Sequence, residues 1–297
     1  MRKSTRLGVA ATAGLAALVA LTSRCSSGSS TTPSPSAGGA GGATSPGKFV
    51  WHDLTTNDVA AAKKFYAALF GWEYTDTTVL DRPYTVARLG EKAVAGLHTP
   101  RQENAGKTPS HWLSYMSVAD VDATAANAKT AGGAVLAGPL DIGKLGRAAV
   151  LRDPQGAPFG LVHFTAGDPP DPPSPVAGTF FWNEYVTHDL DTAVKFYDAL
   201  VPWEVTPSKS EESAAYAVLK HGSKARAGVF RVPDSATDVR PSWLPYVFVT
   251  DPAGLAARVP GLGGRVILEP QAKHRKGTLA VIADPTGAVV ALQKYPY

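Results

Sequence analysis

An internal repeat constrains this chain more than any other feature of its sequence. Residues 49–66 align without a gap with residues 180–197, at an offset of 180 − 49 = 131 positions. The same offset relates further pairs: Trp72 and Trp203, Trp112 and Trp243, Tyr115 and Tyr246, and Asp153 and Asp284. A middle stretch, from Tyr84 to Gly96 in the first copy, aligns at 132. Self-similarity of this length predicts two domains of one fold, each with its own hydrophobic core.

Composition separates the two copies from the rest of the chain. Residues 26–47 consist of Ser, Thr, Pro, Gly and Ala, a composition that cannot offset its ordering entropy and predicts a flexible tether. Residues 166–177 are rich in proline and predict a stiff linker. The predicted segments are a targeting segment at 1–25, the tether at 26–47, a first domain at 48–165, the linker at 166–177 and a second domain at 178–297.

The first 25 residues favour export. A basic start precedes an apolar run over residues 7–21, which is short for a membrane span and suits the core of a signal peptide. The run ends before Cys25, and this junction resembles that of a bacterial lipoprotein, in which Cys25 would carry the lipid at the outer face of the membrane. Arg24, directly before Cys25, stands where that pattern has a small residue. An uncleaved anchor, or a cysteine there by chance, is the alternative.

Charge and cysteine content exclude several classes of function. The net charge of +4 comes from four basic residues before Cys25, so the rest of the chain holds 29 − 4 = 25 basic and 25 acidic residues. A neutral folded part gives no general attraction for nucleic acid, and we expect no nucleic-acid partner. Because Cys25 is the single cysteine, the folded part has no disulfide and no cysteine-based metal site or nucleophile.

Each copy shows the same order of predicted elements twice. The β-prone run 48–54 precedes a helix that begins after Asp58, a good N-cap, and ends at Gly71. Turn residues then separate short strands near 72–75, 84–88 and 93–98. A strand over 111–118, a helix over 120–131 and three more strands up to residue 164 repeat this order. The fold class predicted from this pattern is α+β, with two βαβββ modules in each domain.

Several motifs within this order resemble a known superfamily. They are Phe65-Tyr66 on the first helix, Gly132-Gly133 after the second, and Asp153-Pro154-Gln155-Gly156 before the last strand. Taken with the βαβββ modules, they resemble the vicinal-oxygen-chelate superfamily, of glyoxalase and bleomycin-resistance type, over nearly all of the folded chain. The resemblance implies two tandem glyoxalase-like domains. In each, two modules pair their sheets into a half-open barrel whose concave face holds a ligand.

The resemblance also implies where a metal site would lie. Metal-dependent members hold a divalent ion with four inward residues, usually His and Glu, and the ion acts as a Lewis acid on a chelating substrate. The matching positions here are Trp51, Gly96, Leu113 and Gly160 in the first copy, and Trp182, Gly228, Leu244 and Ala291 in the second. None of these side chains is a metal donor. Because a divalent site needs three or more protein donors, we expect no metal cofactor.

Strand parity predicts what lines the concave faces, because residues two apart on a strand share a face. The inward residues expected in the first copy are Trp51, Asp53, His98, His111 and Tyr115. Those expected in the second are Trp182, Glu184, Phe230, Ser242, Tyr246 and, with less support from the pattern, Gln293. Each face then has aromatic walls and one carboxylate, which is typical of a small-molecule site.

The inward polar residues allow more than one role. Asp53 and Glu184 are candidate acid/base residues or ligand anchors, and the alternative is a solvated acid or one bonded to backbone. Asp53, His98 and His111 could form a displaced metal site, but three separate polar residues are favoured because the second copy lacks this trio. His52 alternates with Trp51 and is predicted to be a core or interface histidine.

The leading functional hypothesis is a metal-free binding module for a small aromatic or amphipathic molecule. One alternative is an enzyme, either a lyase or isomerase that uses Asp53 or Glu184, or a divergent dioxygenase or hydroxylase. A surface protein with vestigial pockets is a third. The sequence leaves open whether modules pair within one copy or between copies.

Overall fold

The computed structural model describes residues 43–102, 106–207 and 216–295. Each copy folds into one curled eight-stranded sheet with two helices on its convex side, so the prediction of two tandem glyoxalase-like half-barrels is confirmed. The first domain comprises β1 Phe49–Thr55, α1 Val59–Phe70, β2 Glu73–Val79, β3 Arg82–Leu89, β4 Lys92–His98, β5 His111–Ser117, α2 Val121–Thr130, β6 Ala134–Asp141, β7 Gly146–Arg152 and β8 Pro158–Phe164. The second comprises β9 Phe180–Thr187, α3 Leu190–Asp198, β10 Glu204–Pro207, β11 Tyr216–His221, β12 Lys224–Arg231, β13 Ser242–Phe248, α4 Pro252–Arg258, β14 Arg265–Leu268, β15 Leu279–Ala283 and β16 Val289–Gln293.

Modules pair within a copy and not between copies. The strand order of the first sheet is β2-β3-β4-β1-β5-β8-β7-β6, and that of the second is β10-β11-β12-β9-β13-β16-β15-β14. The two modules of each domain meet at an antiparallel pair, β1 with β5 and β9 with β13. In the first domain this pair sets Asp53 opposite Leu113 and Trp51 opposite Tyr115, which places these four residues at the centre of the sheet.

Local sequence signals explain the helix bounds. The side chain of Asp58 accepts the Ala61 N–H, so it caps α1 as predicted. Gly71 ends the helix in the left-handed region at φ 72°, which glycine adopts without a steric penalty. Between these ends, α1 buries an apolar stripe of Ala62, Phe65, Tyr66, Leu69 and Phe70.

The helices of one domain pack against the other domain. One core cluster joins Phe65 and Leu69 of α1 to Val249 and Ile282 of the second domain. A second cluster is its pseudosymmetric counterpart, in which α2 packs with α3. His52 lies between the domains, where its Nε2 is 3.2 Å from Oδ1 of Asn183, the residue at its own position in the second copy. The prediction of a core or interface histidine is confirmed, and burial lowers the pKa of His52 to about 3.

The segments before and between the domains are held by polar contacts. The N–H of Ser45 donates to Asp168 of the linker at 2.7 Å, so the end of the predicted tether is ordered against the linker. Asp171, also in the linker, pairs with Lys48 of the first domain and with Lys224 and Arg226 of the second. Residues 1–42, with the predicted signal segment and Cys25, lie outside the described residues. Within the described ranges, no helix is long and apolar enough to cross a membrane.

Candidate functional site

The concave face of the first domain is built around the carboxyl group of Asp53, whose residue is fully buried. Its Oδ1 accepts the Trp51 indole N–H at 2.8 Å and the Tyr84 hydroxyl at 2.6 Å. The Tyr115 hydroxyl also forms a hydrogen bond with this carboxyl group. Strand parity therefore placed Trp51, Asp53 and Tyr115 on one face correctly.

Burial sets the protonation of Asp53. Loss of hydration disfavours the carboxylate and raises the pKa of Asp53 to about 7, although hydrogen bonds from Tyr84, Trp51 and Tyr115 act in the opposite direction. Near neutral pH, the carboxyl group is therefore a mixture of protonated and ionised forms. Such a group can in principle donate or accept a proton, provided that a substrate reaches it.

Tyrosine rings fill the space where the superfamily places its metal ligands. A Cβ added at Gly96 would lie 1.6 Å from the Tyr84 hydroxyl oxygen and 2.3 Å from Asp53 Oδ1. At Gly160 it would lie 2.2 Å from the Tyr115 ring. Glycine is required at both positions because the tyrosines occupy the volume of a side chain there. None of the four side chains at the equivalent positions carries a metal-donor atom, and the tyrosines leave no room for one at Gly96 or Gly160.

The two predicted histidines of this face lie at one edge of it. His98 is buried, with its Nε2 3.3 Å from the Thr55 hydroxyl and its Nδ1 3.0 Å from the Thr99 carbonyl oxygen. Burial lowers the pKa of His98 to about 4 and also lowers that of His111. Among the described residues, no group of three or more His, Cys, Asp or Glu side chains is placed to hold a metal ion. Asp53, His98 and His111, the candidates for a displaced metal site, therefore do not form such a group.

The concave face of the second domain is built around an ion pair. Glu184, at the position of Asp53, accepts the Tyr246 hydroxyl. It also accepts a guanidinium N–H of Arg275 at 2.5 Å. The other guanidinium nitrogen of Arg275 lies 3.3 Å from Gln293 Oε1. The guanidinium carbon is 5.3 Å from the centroid of the Tyr246 ring and 5.9 Å from that of the Tyr216 ring, within cation–π distance of both.

The two concave faces differ in how closely they are packed. In the first domain, Trp51, Tyr84, Leu113 and Val150 are all buried. Their counterparts in the second domain are each only half-buried: Trp182, Tyr216, Leu244 and Val281. The indole N–H of Trp182 is a buried donor without a hydrogen-bond partner among the described residues, whereas that of Trp51 binds Asp53. The second face is therefore the more open and has an unused donor.

The remaining predicted residues of the second face have different surroundings. Phe230 lies two residues after Gly228 on β12 and is 36% exposed. It stands at the margin of the face and not in its packed centre. Gln293 is fully buried and donates to the Thr278 carbonyl and hydroxyl oxygens, at 3.0 and 2.8 Å. Ser242 is half-buried at the start of β13.

Sequence reasoning missed Tyr84, Tyr216 and Arg275. The two tyrosines occupy equivalent positions in the aligned copies, and so do the glycines that they face, Gly96 and Gly228. This tyrosine and glycine pair, repeated in both copies, could have indicated that the tyrosine side chain lies over the glycine. Arg275 left no such signal. It lies in a 3₁₀ turn, Arg275–Gly277, and its counterpart Lys144 is exposed.

Sequence comparison assigns the family. Residues 48–161 match the model for the Glyoxalase/Bleomycin resistance protein/Dioxygenase superfamily, and residues 180–292 match the model for the Glyoxalase-like domain. The candidate glyoxylase CFP32 of Mycobacterium tuberculosis is 37% identical over 253 residues, which cover 82% of this chain and 93% of CFP32. The chain belongs to the glyoxalase/bleomycin resistance/dioxygenase superfamily, as a tandem two-domain member.

One further relative and two solved structures are similar to this chain. The anthracycline biosynthesis protein DnrV of Streptomyces peucetius is 33% identical over 271 residues, covering 85% of this chain and 96% of DnrV. The Mn(II)-bound glyoxalase from Novosphingobium aromaticivorans superposes with a TM-score of 0.57 at 17% identity, over 85% of this chain and 83% of that one. The 2,3-dioxygenase LapB from Pseudomonas sp. KL28 has a TM-score of 0.57 at 10% identity, over 86% and 94%. These structures share the fold.

Proposed function

We propose that this chain is a small-molecule-binding protein of the glyoxalase/bleomycin-resistance type that takes its ligand on the concave face of the second domain, without a metal ion. The observation that carries the proposal is the contrast between the two faces. Trp51 is buried with its indole N–H bound to Asp53. Trp182, its counterpart, is half-buried, and its N–H has no hydrogen-bond partner in the described part of the chain.

The metal-free part of the proposal rests on side-chain chemistry. None of the eight positions equivalent to the superfamily's ligands carries a donor side chain. The three glycines among them all face tyrosine side chains: Gly96, Gly160 and Gly228. A substrate-chelating ion would need at least three donor side chains from other positions on the concave face. We therefore propose a site that binds through aromatic faces and hydrogen bonds.

A small aromatic or amphipathic ligand suits the second face. Trp182 and Tyr216, both half-buried, supply flat apolar surface, and the ion pair of Glu184 with Arg275 supplies the few polar groups that orient a ligand. The name of one relative, an anthracycline biosynthesis protein, supports an organic ligand of this general kind.

An enzymatic role for Asp53 is the second candidate, and one observation favours it. Its pKa of about 7 is suited to proton transfer near neutral pH, and the name of CFP32 as a candidate glyoxylase points the same way. However, Trp51 and Tyr84 both donate to Asp53, which is fully buried, so a substrate reaches the carboxyl group only if these side chains move. In the second domain Trp182, Tyr216 and Leu244 are only half-buried, so a ligand meets exposed surface there before any side chain moves.

Matched tryptophan variants test the binding proposal. We expect an anthracycline or 2-naphthol to bind the purified, EDTA-treated protein in calorimetric titrations, with one molecule per chain. Trp182→Phe removes the unused donor and should weaken binding of the hydroxyl-bearing probe about fivefold, the effect of one lost hydrogen bond. Trp51→Phe, the matched control, should leave the affinity unchanged. Equal effects of the two variants, or binding that requires added Mn²⁺ or Fe²⁺, would contradict the proposal.

We also propose that the protein is exported and held at the outer face of the membrane by a lipid on Cys25. The proposal rests on the sequence of residues 1–25, with the basic start, the short apolar run and the single cysteine. In a bacterial host, the wild-type protein should be found in the membrane fraction, and Cys25→Ala should move it to a soluble fraction. Equal distribution of both forms would disprove lipid anchoring.

A further inference from the structure

The guanidinium of Arg275 occupies a cage that is built from the second domain's own sheet. One wall is the Glu184 carboxylate, 2.5 Å from a guanidinium nitrogen, and a second is the carbonyl oxygen of the Gln293 side chain. Two more walls are the rings of Tyr216 and Tyr246. A carboxylate combined with aromatic faces is a general arrangement for binding organic cations.

Arg275 reaches this cage from a loop and not from the sheet. It lies in the turn before β15, and both Arg275 and Lys276 have positive φ values, 48° and 56°. Two successive non-glycine residues in this region are strained, so the surrounding contacts must hold the turn in place. The side chain remains 21% accessible, whereas that of Glu184 is 7% accessible. The arginine therefore covers the carboxylate from the solvent side.

We propose that this cage is a recognition site for a small organic cation, such as an amidinium or protonated amine on a flat apolar body, and that Arg275 fills it as an internal stand-in. When such a ligand binds, its charged group replaces the guanidinium between Glu184 and the two tyrosines. Its flat body lies along Trp182, which Tyr246 faces across the β9–β13 pair. This inference rests on the proposed function, because it assigns a ligand class to the same face.

The first domain supports the assignment by contrast. Lys144, at the position of Arg275, is exposed, while the neighbouring Ile142 is buried in the apolar cluster of the first face. The hydrogen bonds to Asp53 there come from neutral groups, Trp51 and Tyr84, and not from a cation. Within the described residues, the first face thus has no cation beside its carboxyl group, which is fully buried.

Variants of Arg275 test the inference with three probes of one shape: benzamidine, which is a cation, benzamide, which is neutral, and benzoate, which is an anion. Arg275→Met keeps an unbranched apolar side chain but removes the positive charge from the cage, so that the Glu184 carboxylate is left without its ion-pair partner. We expect it to bind benzamidine about tenfold more tightly than the wild type does, and in preference to benzamide and benzoate. Glu184→Gln in the Arg275→Met background should abolish the preference. Arg275→Lys, which keeps a cation, and Lys144→Met in the first domain should show no gain.

The outcomes separate this inference from the proposed function. If Arg275→Met binds the three probes equally, or prefers benzoate, the cation inference is wrong. If binding of 2-naphthol still depends on Trp182 in that case, the proposed function stands. If the binding of 2-naphthol also does not depend on Trp182, the cation inference and the proposed function are both wrong. Should Arg275→Met not fold, the wild-type protein provides a second measurement. Benzamidine, but not benzamide, should shift the NMR signal of the Arg275 side-chain N–H, assigned by its loss in Arg275→Lys, and an unchanged signal would overturn the inference.

Discussion

Replacement of Asp153 by alanine is expected to destabilise the protein by about 3–5 kcal/mol, because it leaves several buried donors without an acceptor. Oδ1 of Asp153 accepts the N–H groups of Gln155 and Ala157, both at 2.9 Å, and so shapes the turn between β7 and β8. Oδ2 accepts the hydroxyls of Tyr185 and Tyr197, which belong to the other domain. One carboxylate thus fixes a turn and joins the two domains.

Asp284, the equivalent residue in the second copy, provides the matched control. Its Oδ2 accepts the Tyr66 hydroxyl at 3.1 Å, and its Oδ1 accepts from Thr286 and Ala288. Asp153→Ala leaves two buried hydroxyls without this acceptor, those of Tyr185 and Tyr197. Asp284→Ala leaves one, that of buried Tyr66, because Thr286 is half-buried and its hydroxyl can turn to water. Asp284→Ala should therefore cost less than Asp153→Ala, by about 1–2 kcal/mol. Urea unfolding followed by tryptophan fluorescence measures both losses, and a loss below about 1 kcal/mol for Asp153→Ala would refute this account of the domain contact.

The second large effect concerns pH. Because the pKa of Asp53 is raised from 3.8 to about 7 in the folded protein, the unfolded chain releases this proton at lower pH than the folded one does. The folded state then binds more protons between about pH 4 and 7, and its stability falls as pH rises through this window. Below pH 4 both states are protonated, so the penalty is absent. Above pH 7 the full penalty applies, and it lowers the free energy of unfolding by about 4 kcal/mol.

Asp53→Asn removes this titration while it keeps the oxygen that accepts from Trp51 and Tyr84. The difference in unfolding free energy between the variant and the wild type should therefore move in favour of the variant by up to about 4 kcal/mol from pH 4 to pH 8. Comparing the two proteins cancels the titration of all other groups, and Glu91→Gln, at an exposed turn, controls for the loss of one surface carboxylate. A difference that stays constant with pH would show that Asp53 has the same, ordinary pKa in the folded and unfolded states.

The sequence predicted the fold well because the relevant signals were local or repeated. Asp58 and Gly71 mark the ends of α1 by their capping chemistry, and the offset of 131 carries each element into the second copy. Strand parity placed Trp51, Asp53 and Tyr115 on one face because no bulge intervenes between Trp51 and Thr55 on β1. Where pairing follows a regular ladder, the face of a residue can be read from its position.

The site was less predictable because its character depends on distant residues. Open pockets were expected in both domains, but in the first the face is filled by Tyr84, which comes from β3 and reaches Asp53 across the sheet. Arg275 lies 91 residues after Glu184 and comes from a turn with no periodic pattern. The sequence also left the pairing of modules open, and the strand order shows that they pair within each copy.

The structure of the protein with a bound ligand tests the central claim most directly. Crystals grown with benzamidine or 2-naphthol should show the probe on the concave face of the second domain, against Trp182 and Tyr246, with the first face still closed over Asp53 and no metal ion at either. A rival site is the cleft of about 390 Å³ where Leu69 and Phe70 of α1 meet Leu255 and Arg258 of α4. A probe in that cleft alone, or one chelated to a metal ion in either half-barrel, would contradict the account.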